Sequence, residues 1–201
     1  PVYEELTDPS EGISVALKNG KSAYVTKEGK ELTPFIFDVA NDFKDGFALV
    51  SKEQEYGVVD LSGHFSIQPV YDELTRIDKS KLKARNGSGK WGMLNMRGDT
   101  LLDFVYDFIG DYIMQRCMIV RGGKCGFVND TAAVVIPVSF QFSPSLKSDG
   151  YFEGGYQTLI YKQKPVIADT AGMVYNFPGA ENIGTFSEGL VAVMRNKKWG
   201  Y

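Results

Sequence analysis

Histidine is almost absent from this chain of 201 residues, which contains one, His64. Metal sites need several convergent ligands, and a catalytic triad needs a base together with a residue that orients it. A single histidine therefore argues against both kinds of site. His64 follows Gly63, and we expect it to be a solvated turn residue.

Cysteine is nearly as rare, with Cys117 and Cys125 alone. If residues 116–121 and 125–129 pair as a hairpin, a disulfide between the two can form. The interpretation that we favour is two small apolar side chains packed in a sheet. Lys124 beside Cys125 suggests an activated thiol, but Cys125 stands at a repeated position described below, which favours packing.

An excess of positive charge and long apolar runs are also missing. Lys and Arg total 22 against 25 Asp and Glu, which gives a net charge of -3, whereas a nucleic-acid partner would need a basic surface. The longest apolar run, 132–136, is too short to span a bilayer. The glycine pairs at 122–123 and 154–155 fall at turns and do not form a phosphate-binding loop. We therefore expect no nucleic acid, no membrane span and no cofactor.

What the chain does contain is a phrase of about 34 residues that recurs along its length. Its marker is an aromatic or small residue followed by Gly, usually after Lys. Successive markers are 34, 35, 34, 40 and 34 residues apart, and a fixed period in this range is typical of repeat proteins. The markers are Tyr56-Gly57, Trp91-Gly92, Cys125-Gly126 and Trp199-Gly200, with degenerate copies at Ser22-Ala23 and Pro165-Val166.

Three further columns keep the same register. A turn Gly stands seven residues after the marker, an aromatic ring stands fifteen residues after it, and another Gly stands ten residues before it. The first column is Gly29, Gly63, Gly98 and Gly172 with Ala132 as the exception; the second is Phe37, Tyr71, Tyr106 and Phe140 with Ala180 as the exception; the third is Gly12, Gly46, Gly155 and Gly189, replaced by Lys81 and Gln115. This agreement predicts a single tandem array over residues 1–201.

The columns also give the boundaries of the units. Residues 1–21 form a partial unit, and residues 199–201 begin a further one. The repeats between them are 22–55, 56–90, 91–124, 125–164 and 165–198.

Each unit is predicted to hold three short strands and one irregular stretch. The marker strand, such as 55–60, is followed by a Gly-bearing turn. A second strand, such as 65–68, ends near Pro69, because Pro cannot donate to an interior ladder. The irregular stretch follows. A third strand, such as 47–50, then begins directly after the Gly that stands ten residues before the next marker. Apolar residues show no sustained helical period, so we predict an all-β fold.

These motifs resemble the WG-repeat family of bacterial proteins, which is named for the Trp-Gly marker. Over the whole chain, two of the six markers are literally Trp-Gly. The resemblance implies an all-β tandem array, a non-enzymatic recognition or scaffolding role, no catalytic residues, and a place in the bacterial periplasm or at the cell surface. It rests on Lys90-Trp91-Gly92-Met93-Leu94-Asn95, Lys198-Trp199-Gly200-Tyr201 and Pro69-Val70-Tyr71-Asp72-Glu73-Leu74, a phrase repeated as Pro1-Val2-Tyr3-Glu4-Glu5-Leu6.

The marker residues suggest how neighbouring units join. A Trp or Tyr at the first position offers a large apolar plate, and the Gly beside it lets another backbone approach closely. We therefore expect Tyr56, Trp91, Cys125 and Trp199 to pack between units. A propeller blade usually has four strands, so we favour an open twisted stack of three-stranded units. A closed propeller-like ring is the alternative.

The aromatic–acid pairs Tyr71-Asp72 and Tyr106-Asp107 form the first candidate binding surface. If exposed, such rings beside acids would suit sugar stacking or a basic partner. The interpretation that we favour is structural: a buried ring, and an acid that accepts backbone N–H groups in the following turn.

The second candidate is the longest repeat, whose step carries about six extra residues near 143–152. Insertions in a repeat map to loops on one face, which is often the binding face. Tyr151 and Phe152 at its end are candidate contacts. A tolerated surface loop explains the insertion equally well.

Two functions compete. The leading hypothesis is a non-enzymatic scaffold for protein–protein recognition, because repeat arrays present long surfaces. The alternative is a carbohydrate or cell-envelope glycan binding module, which the 13% aromatic content suggests. Exposed rings at Tyr71 and Tyr106 would favour the glycan hypothesis, and buried rings would remove its basis. No convergent constellation supports an enzyme.

Overall fold

The computed structural model describes residues 2–141, 152 and 154–201. Every regular element within these residues is a β-strand, so the prediction of an all-β fold is confirmed. None of the described residues forms a helix, and hence no helix there is long and apolar enough to cross a membrane. The strands are β1 (Glu5–Leu6), β2 (Ile13–Lys18), β3 (Lys21–Thr26), β4 (Val39–Ala40), β5 (Phe47–Lys52), β6 (Glu55–Asp60), β7 (Phe65–Arg76), β8 (Lys81–Asn86), β9 (Trp91–Asn95), β10 (Thr100–Tyr106), β11 (Phe108–Ile113), β12 (Arg116–Arg121), β13 (Lys124–Asn129), β14 (Val134–Gln141), β15 (Tyr156–Tyr161), β16 (Lys164–Asp169), β17 (Val174–Asn176), β18 (Asn182–Ser187), β19 (Leu190–Arg195) and β20 (Lys198–Gly200).

The strands form four antiparallel sheets, in which each strand pairs with its neighbours in sequence. The sheets are β1-β2-β3, then β4 to β10, then β11 to β17, and finally β18-β19-β20. None of the four closes on itself, in agreement with the open arrangement that the sequence favoured. Consecutive pairing of this kind follows from the short turns that join the strands.

The chain divides into two compact units, Pro1–Phe104 and Val105–Tyr201. The first contains the sheet β1–β3 and the sheet β4–β10 as far as Phe104 in β10, and the second contains β11–β17 and β18–β20. Each unit has its own core. One cluster in the first unit is built around Tyr24, Phe37 and Phe43, and a cluster in the second unit is built around Phe127, Phe140 and Phe152.

In repeat 56–90, the stretch that was expected to be irregular is largely paired with neighbouring strands. Strand β7 runs without interruption through Pro69: its first half pairs with β6 and its second half, from Tyr71, pairs with β8. The β6–β7 register shifts beside Pro69. Proline has no N–H, and at this shift the ladder does not need one. Repeat 56–90 therefore has the predicted three strands, whereas repeat 91–124 has four, β9 to β12.

Tight hairpin turns set the register within each unit. The turn between β2 and β3 is formed by Asn19 and Gly20, with φ of 52° and 71°, which is the geometry that suits a two-residue hairpin loop. Glu53 and Gln54 adopt the same left-handed geometry without glycine, at 55° and 70°. At the turn-Gly column, Ala132 likewise keeps a φ of 64°. Backbone pairing on both sides thus holds these residues in conformations that side chains disfavour.

Candidate functional site

The rings of the aromatic column turn inward. Tyr106 is 7% exposed and Phe37 is 1% exposed. Tyr71 is half-buried, and its ring stacks on Phe104 with the centroids 5.5 Å apart. Burial raises the pKa of the Tyr71 hydroxyl. Because these rings pack within the protein, they do not form the row of exposed plates that sugar stacking requires.

The acids of the same column hold hairpin turns. The carboxylate of Asp38 accepts the backbone N–H of Glu53 at 2.6 Å, and that of Asp107 accepts the N–H of Gly122 at 2.6 Å. In each case the turn lies fifteen residues after the acid. The structural interpretation predicted this role, in which the acid accepts backbone N–H groups of the following turn. Asp72 is half-buried. The turn after β8 is instead capped locally by Asn86, whose side-chain oxygen accepts the N–H groups of Ser88 and Lys90.

Glu181 belongs to this acid column but was missed by the sequence analysis. It accepts the N–H groups of Asn196 and Lys197 at 3.0 and 3.1 Å. The position before it, which holds an aromatic ring in the other repeats, is Ala180. Without that ring, Glu181 was not recognised as a member of the acid column. Its distance of 18 residues to the following marker, equal to that of Asp38 and Asp107, was the signal that could have found it.

The insertion candidate falls mostly outside the described residues, and Tyr151 is among those outside. Phe152 is described and is fully buried, with its ring 5.2 Å from that of Phe127 in an edge-on contact. The prediction that Phe152 is a candidate contact on the surface is therefore wrong. Phe152 lies three residues before Gly155 and fills the core, just as Phe43 lies three residues before Gly46 and fills the core there.

At three interior markers the glycine is buried against the adjoining strand. A Cβ on Gly57 would lie 2.6 Å from the carbonyl oxygen of Ile67, and one on Gly126 would lie 2.5 Å from that of Ile136. The predicted close approach of a backbone is thus present, and Gly92 is similarly crowded by Leu102 and Phe104. The adjoining strand bulges at Gly57 and Gly126, which brings its backbone over the glycine.

The first marker residue does not act uniformly as a packing plate. Cys125 is 1% exposed, but Tyr56 is 37% exposed and Trp199 is 54% exposed. Trp91 is half-buried, and Gly200 is exposed. The expectation that all four first residues pack between units is wrong for Tyr56, because the backbone contact at Gly57 is what fixes the adjoining strand. Trp199 is exposed on β20, the last strand of its sheet, and a Cβ on Gly200 would meet nothing within 4 Å.

Both cysteines are buried, and neither forms a disulfide. Cys117 and Cys125 lie on the paired strands β12 and β13, but their cross-strand partners are Val128 and Val120. Burial raises the pKa of the Cys125 thiol to about 11, which keeps it protonated at neutral pH. Both residues are packed in the sheet, as favoured above.

One turn brings an acid, a hydroxyl and the histidine together. Ser62 Oγ lies 2.5 Å from Asp60 Oδ1 and 2.7 Å from His64 Nδ1. In a catalytic triad the imidazole stands between the acid and the nucleophile, whereas here the hydroxyl stands between the acid and the imidazole. Asp60 also accepts the backbone N–H groups of Ser62 and His64, so this cluster is a capped turn.

The same cap recurs four residues after other markers. Asn95, Asn129 and Asp169 each accept two backbone N–H groups of their own turn. Burial raises the pKa of Asp169, but these hydrogen bonds and one from the Tyr175 hydroxyl outweigh it, and the pKa is lowered. This column of capping residues at 60, 95, 129 and 169 was not predicted from the sequence.

Two open cavities lie within the units. In the first unit, a cavity of about 440 Å³ is lined by Leu49, Leu74 and Phe47 with Lys44 and Arg76 at its rim. In the second, a cavity of about 500 Å³ lies over β19 and β20, with Arg195 and Lys198 among its lining residues. Among the described residues no group of three His, Cys, Asp or Glu side chains is placed to hold a metal ion.

Comparison with known sequences accounts for this recurring geometry. The sequence model of the WG containing repeat matches residues 24–55, 56–89 and 181–199. These three stretches are therefore similar to WG repeats. They include the close approach at Gly57, the exposed Tyr56 and most of the terminal sheet β18-β19-β20. Residues 90–180 lie between the matched WG repeats, and the β12–β13 hairpin there keeps the same layout. No curated protein matches the chain.

Solved structures resemble the chain weakly. BamB from Moraxella catarrhalis aligns with a TM-score of 0.39 and 11% identity over 94% of this chain and 69% of its own. Virginiamycin B lyase from Staphylococcus aureus gives 0.35 and 12% over 94% and 76%, and the WD40 beta propeller domain of Doa1 gives 0.32 and 10% over 96% and 75%. All three TM-scores lie below 0.5, so the function of this chain must be argued from its own residues.

Proposed function

We propose that the chain is a non-enzymatic repeat scaffold that binds another protein. The observation that supports this is an exposed apolar position directly before the aromatic column. In the first unit, Val2 is 71% exposed and Val70 is 53% exposed, with the half-buried Ile36 at the same position between them. Val105 begins the second unit at the equivalent place and is 38% exposed.

Ile36 packs partly against the core, but the fold does not require an apolar side chain at the more exposed Val2 and Val70. The ring that follows directly, such as Phe37 or Tyr106, already fills the core. Single exposed apolar residues are ordinary, but their recurrence at one position of successive repeats is typical of the binding surface of a repeat protein.

The acids with lowered pKa support a non-enzymatic role. Asp38, Asp60 and Asp78 each hold backbone N–H groups of a turn. A hydrogen bond from the Lys21 ammonium lowers the pKa of Asp38 most strongly. A catalytic acid or base needs a pKa near the working pH, whereas these carboxylates stay ionised and engaged in structure.

The test compares binding by the full chain with binding by two matched variants. Val70→Asp places a charge on the recurrent apolar position, and Leu61→Asp places it on an apolar turn residue that is 45% exposed. A protein captured from the native extract by the wild-type chain and Leu61→Asp, but lost with Val70→Asp, supports the proposal. Equal capture by all three chains, or capture by none, would contradict it. Glycan binding that Val70→Asp leaves intact would favour the alternative function.

A further inference from the structure

The cavity of the first unit lies between two neighbouring repeats. Strand β5 supplies Phe47 and Leu49 to its lining, and β7 of the next repeat supplies Leu74. Leu74 is buried in an apolar cluster, and the half-buried Phe47 and Leu49 pack against that cluster. A volume of about 440 Å³ is in the range of small-molecule sites, which are mostly apolar. The floor of this cavity therefore offers apolar surface to a small ligand.

Hydrogen bonds fix one side of the cavity. The guanidinium of Arg76 crosses from one repeat to the other, donating from Nη1 to Asp45 Oδ2 at 3.2 Å and from Nη2 to the Phe47 carbonyl oxygen at 3.1 Å. The Arg76 side chain is 16% exposed. Because Asp45 balances its charge, Arg76 shapes the cavity and contributes no net charge to it.

Two further charges at the rim are open to a ligand. Lys44 and Asp42 line the cavity and are exposed, and neither side chain makes a hydrogen bond or an ion pair within the described part of the chain. At the preceding junction Ser10 holds the position of Lys44, and its hydroxyl donates to the Phe43 carbonyl oxygen at 2.7 Å. That junction is closed by the protein itself, whereas this one presents an ammonium and a carboxylate beside an apolar floor.

We propose that this cavity binds a zwitterionic α-amino acid with an apolar side chain. The ligand's side chain lies on Phe47, its carboxylate meets the Lys44 ammonium, and its α-ammonium meets the Asp42 carboxylate. A ligand of one charge would leave the other rim group without a complement. This inference does not rest on the proposed function, because Val70 does not line the cavity.

Three probes that share a phenyl group separate the two charges. L-phenylalanine carries both, hydrocinnamate carries only the carboxylate, and phenethylamine carries only the ammonium. In heteronuclear NMR titrations of the full chain at neutral pH, L-phenylalanine should saturably shift the amide signals of the lining residues, Leu49 and Thr75 among them. It should also bind more tightly than either other probe. Absence of saturable binding, or equal binding of all three probes, would overturn the proposal.

Neutral substitutions assign each charge. Lys44→Gln should weaken binding of L-phenylalanine by about fivefold without weakening that of phenethylamine, because only the contact with the carboxylate is lost. Asp42→Asn should weaken L-phenylalanine similarly without weakening hydrocinnamate. Lys30→Gln is the matched control, since Lys30 is exposed in the same unit and does not line the cavity. Equal affinities of Lys44→Gln and Lys30→Gln for L-phenylalanine would contradict the assignment.

Thr75→Trp tests the cavity itself. Thr75 is exposed on β7 and lines the cavity, so an indole there occupies the space without entering the core. All three probes should lose their binding, while urea unfolding stays close to that of the wild-type chain. A variant that unfolds like the wild-type chain and still binds L-phenylalanine would show that binding occurs elsewhere, which would overturn the proposal.

Discussion

At the scale of the residue, the glycine of an interior marker is tightly constrained by backbone contact. Gly57 and Gly126 face backbone atoms at distances that no Cβ can occupy, whereas Tyr56 in front of Gly57 is partly exposed. Val166 fills the same column in a repeat where β16 and β17 pair without a shift. A side chain is tolerated there because the partner strand does not bulge over it.

Gly57→Ala tests this directly. The added methyl would lie 2.6 Å from the Ile67 carbonyl oxygen and 2.8 Å from the Pro69 nitrogen, both backbone atoms that cannot move alone. We expect a loss of about 1–3 kcal/mol in the free energy of unfolding. Gly87→Ala is the control, since a Cβ there meets nothing within 4 Å. Equal effects of the two substitutions in urea unfolding would refute the explanation.

Asp78 gives a pH-dependent prediction. Burial raises its pKa, but hydrogen bonds from the Lys81 side chain and from Ser80 outweigh this and lower the pKa to about 2. Because the folded pKa is below the unfolded value of about 3.9, the carboxylate adds stability above about pH 5 and loses it as the pH falls toward 2. Asp78→Asn should therefore be less stable than the wild-type chain at neutral pH, with a difference that shrinks in acid. A difference that is constant with pH would argue against this role.

At the scale of the element, much of the fold follows from the sequence. Four residue columns locate the markers, both turns of each unit and the buried ring, because these positions depend on local backbone geometry. The continuation of β7 through Pro69 could not be predicted in the same way. Pro normally ends an interior ladder, and its place at a register shift depends on β6 and β8 together.

The candidate site shows a similar limit. An aromatic beside an acid is compatible with a sugar-binding surface or with a capped turn, and the choice depends on which way the ring points. Tyr106 and the turn contact of Asp107 resolve it structurally. Phe152 was misjudged because its neighbours in sequence are an insertion, whereas its partner Phe127 lies in another strand.

The hairpin turn at Glu53 and Gln54 yields a stabilising substitution. Both residues have a positive φ, and the equivalent turn at Asn19 and Gly20 uses glycine at the second position. Gln54→Gly should raise the free energy of unfolding by roughly 1 kcal/mol, because it removes the strain at φ of 70°. Gln68→Gly, within β7, should instead destabilise. Thermal unfolding of the two variants checks the sign, and a loss of stability in both would count against the turn geometry.

At the scale of the whole molecule, the division into two compact units predicts that a core substitution destabilises its own unit and leaves the other protected. Leu159 is 1% exposed and packs in the core cluster of the second unit. Leu159→Ala should cost about 2–5 kcal/mol. Hydrogen exchange should then rise in β13 to β17, while β5 to β9 in the first unit keep their protection. Uniform loss of protection in both units would show that they unfold as one body.

The crowded glycine has one more consequence. Since main-chain contact at Gly57 sets how the adjoining strand lies, the neighbouring Tyr56 contributes little to that arrangement and reaches toward water. Mutation can then replace such an exposed residue in one repeat at a time without disturbing the arrangement of the strands. Single changes at such an exposed position can therefore alter what the surface binds while the arrangement of the strands stays the same.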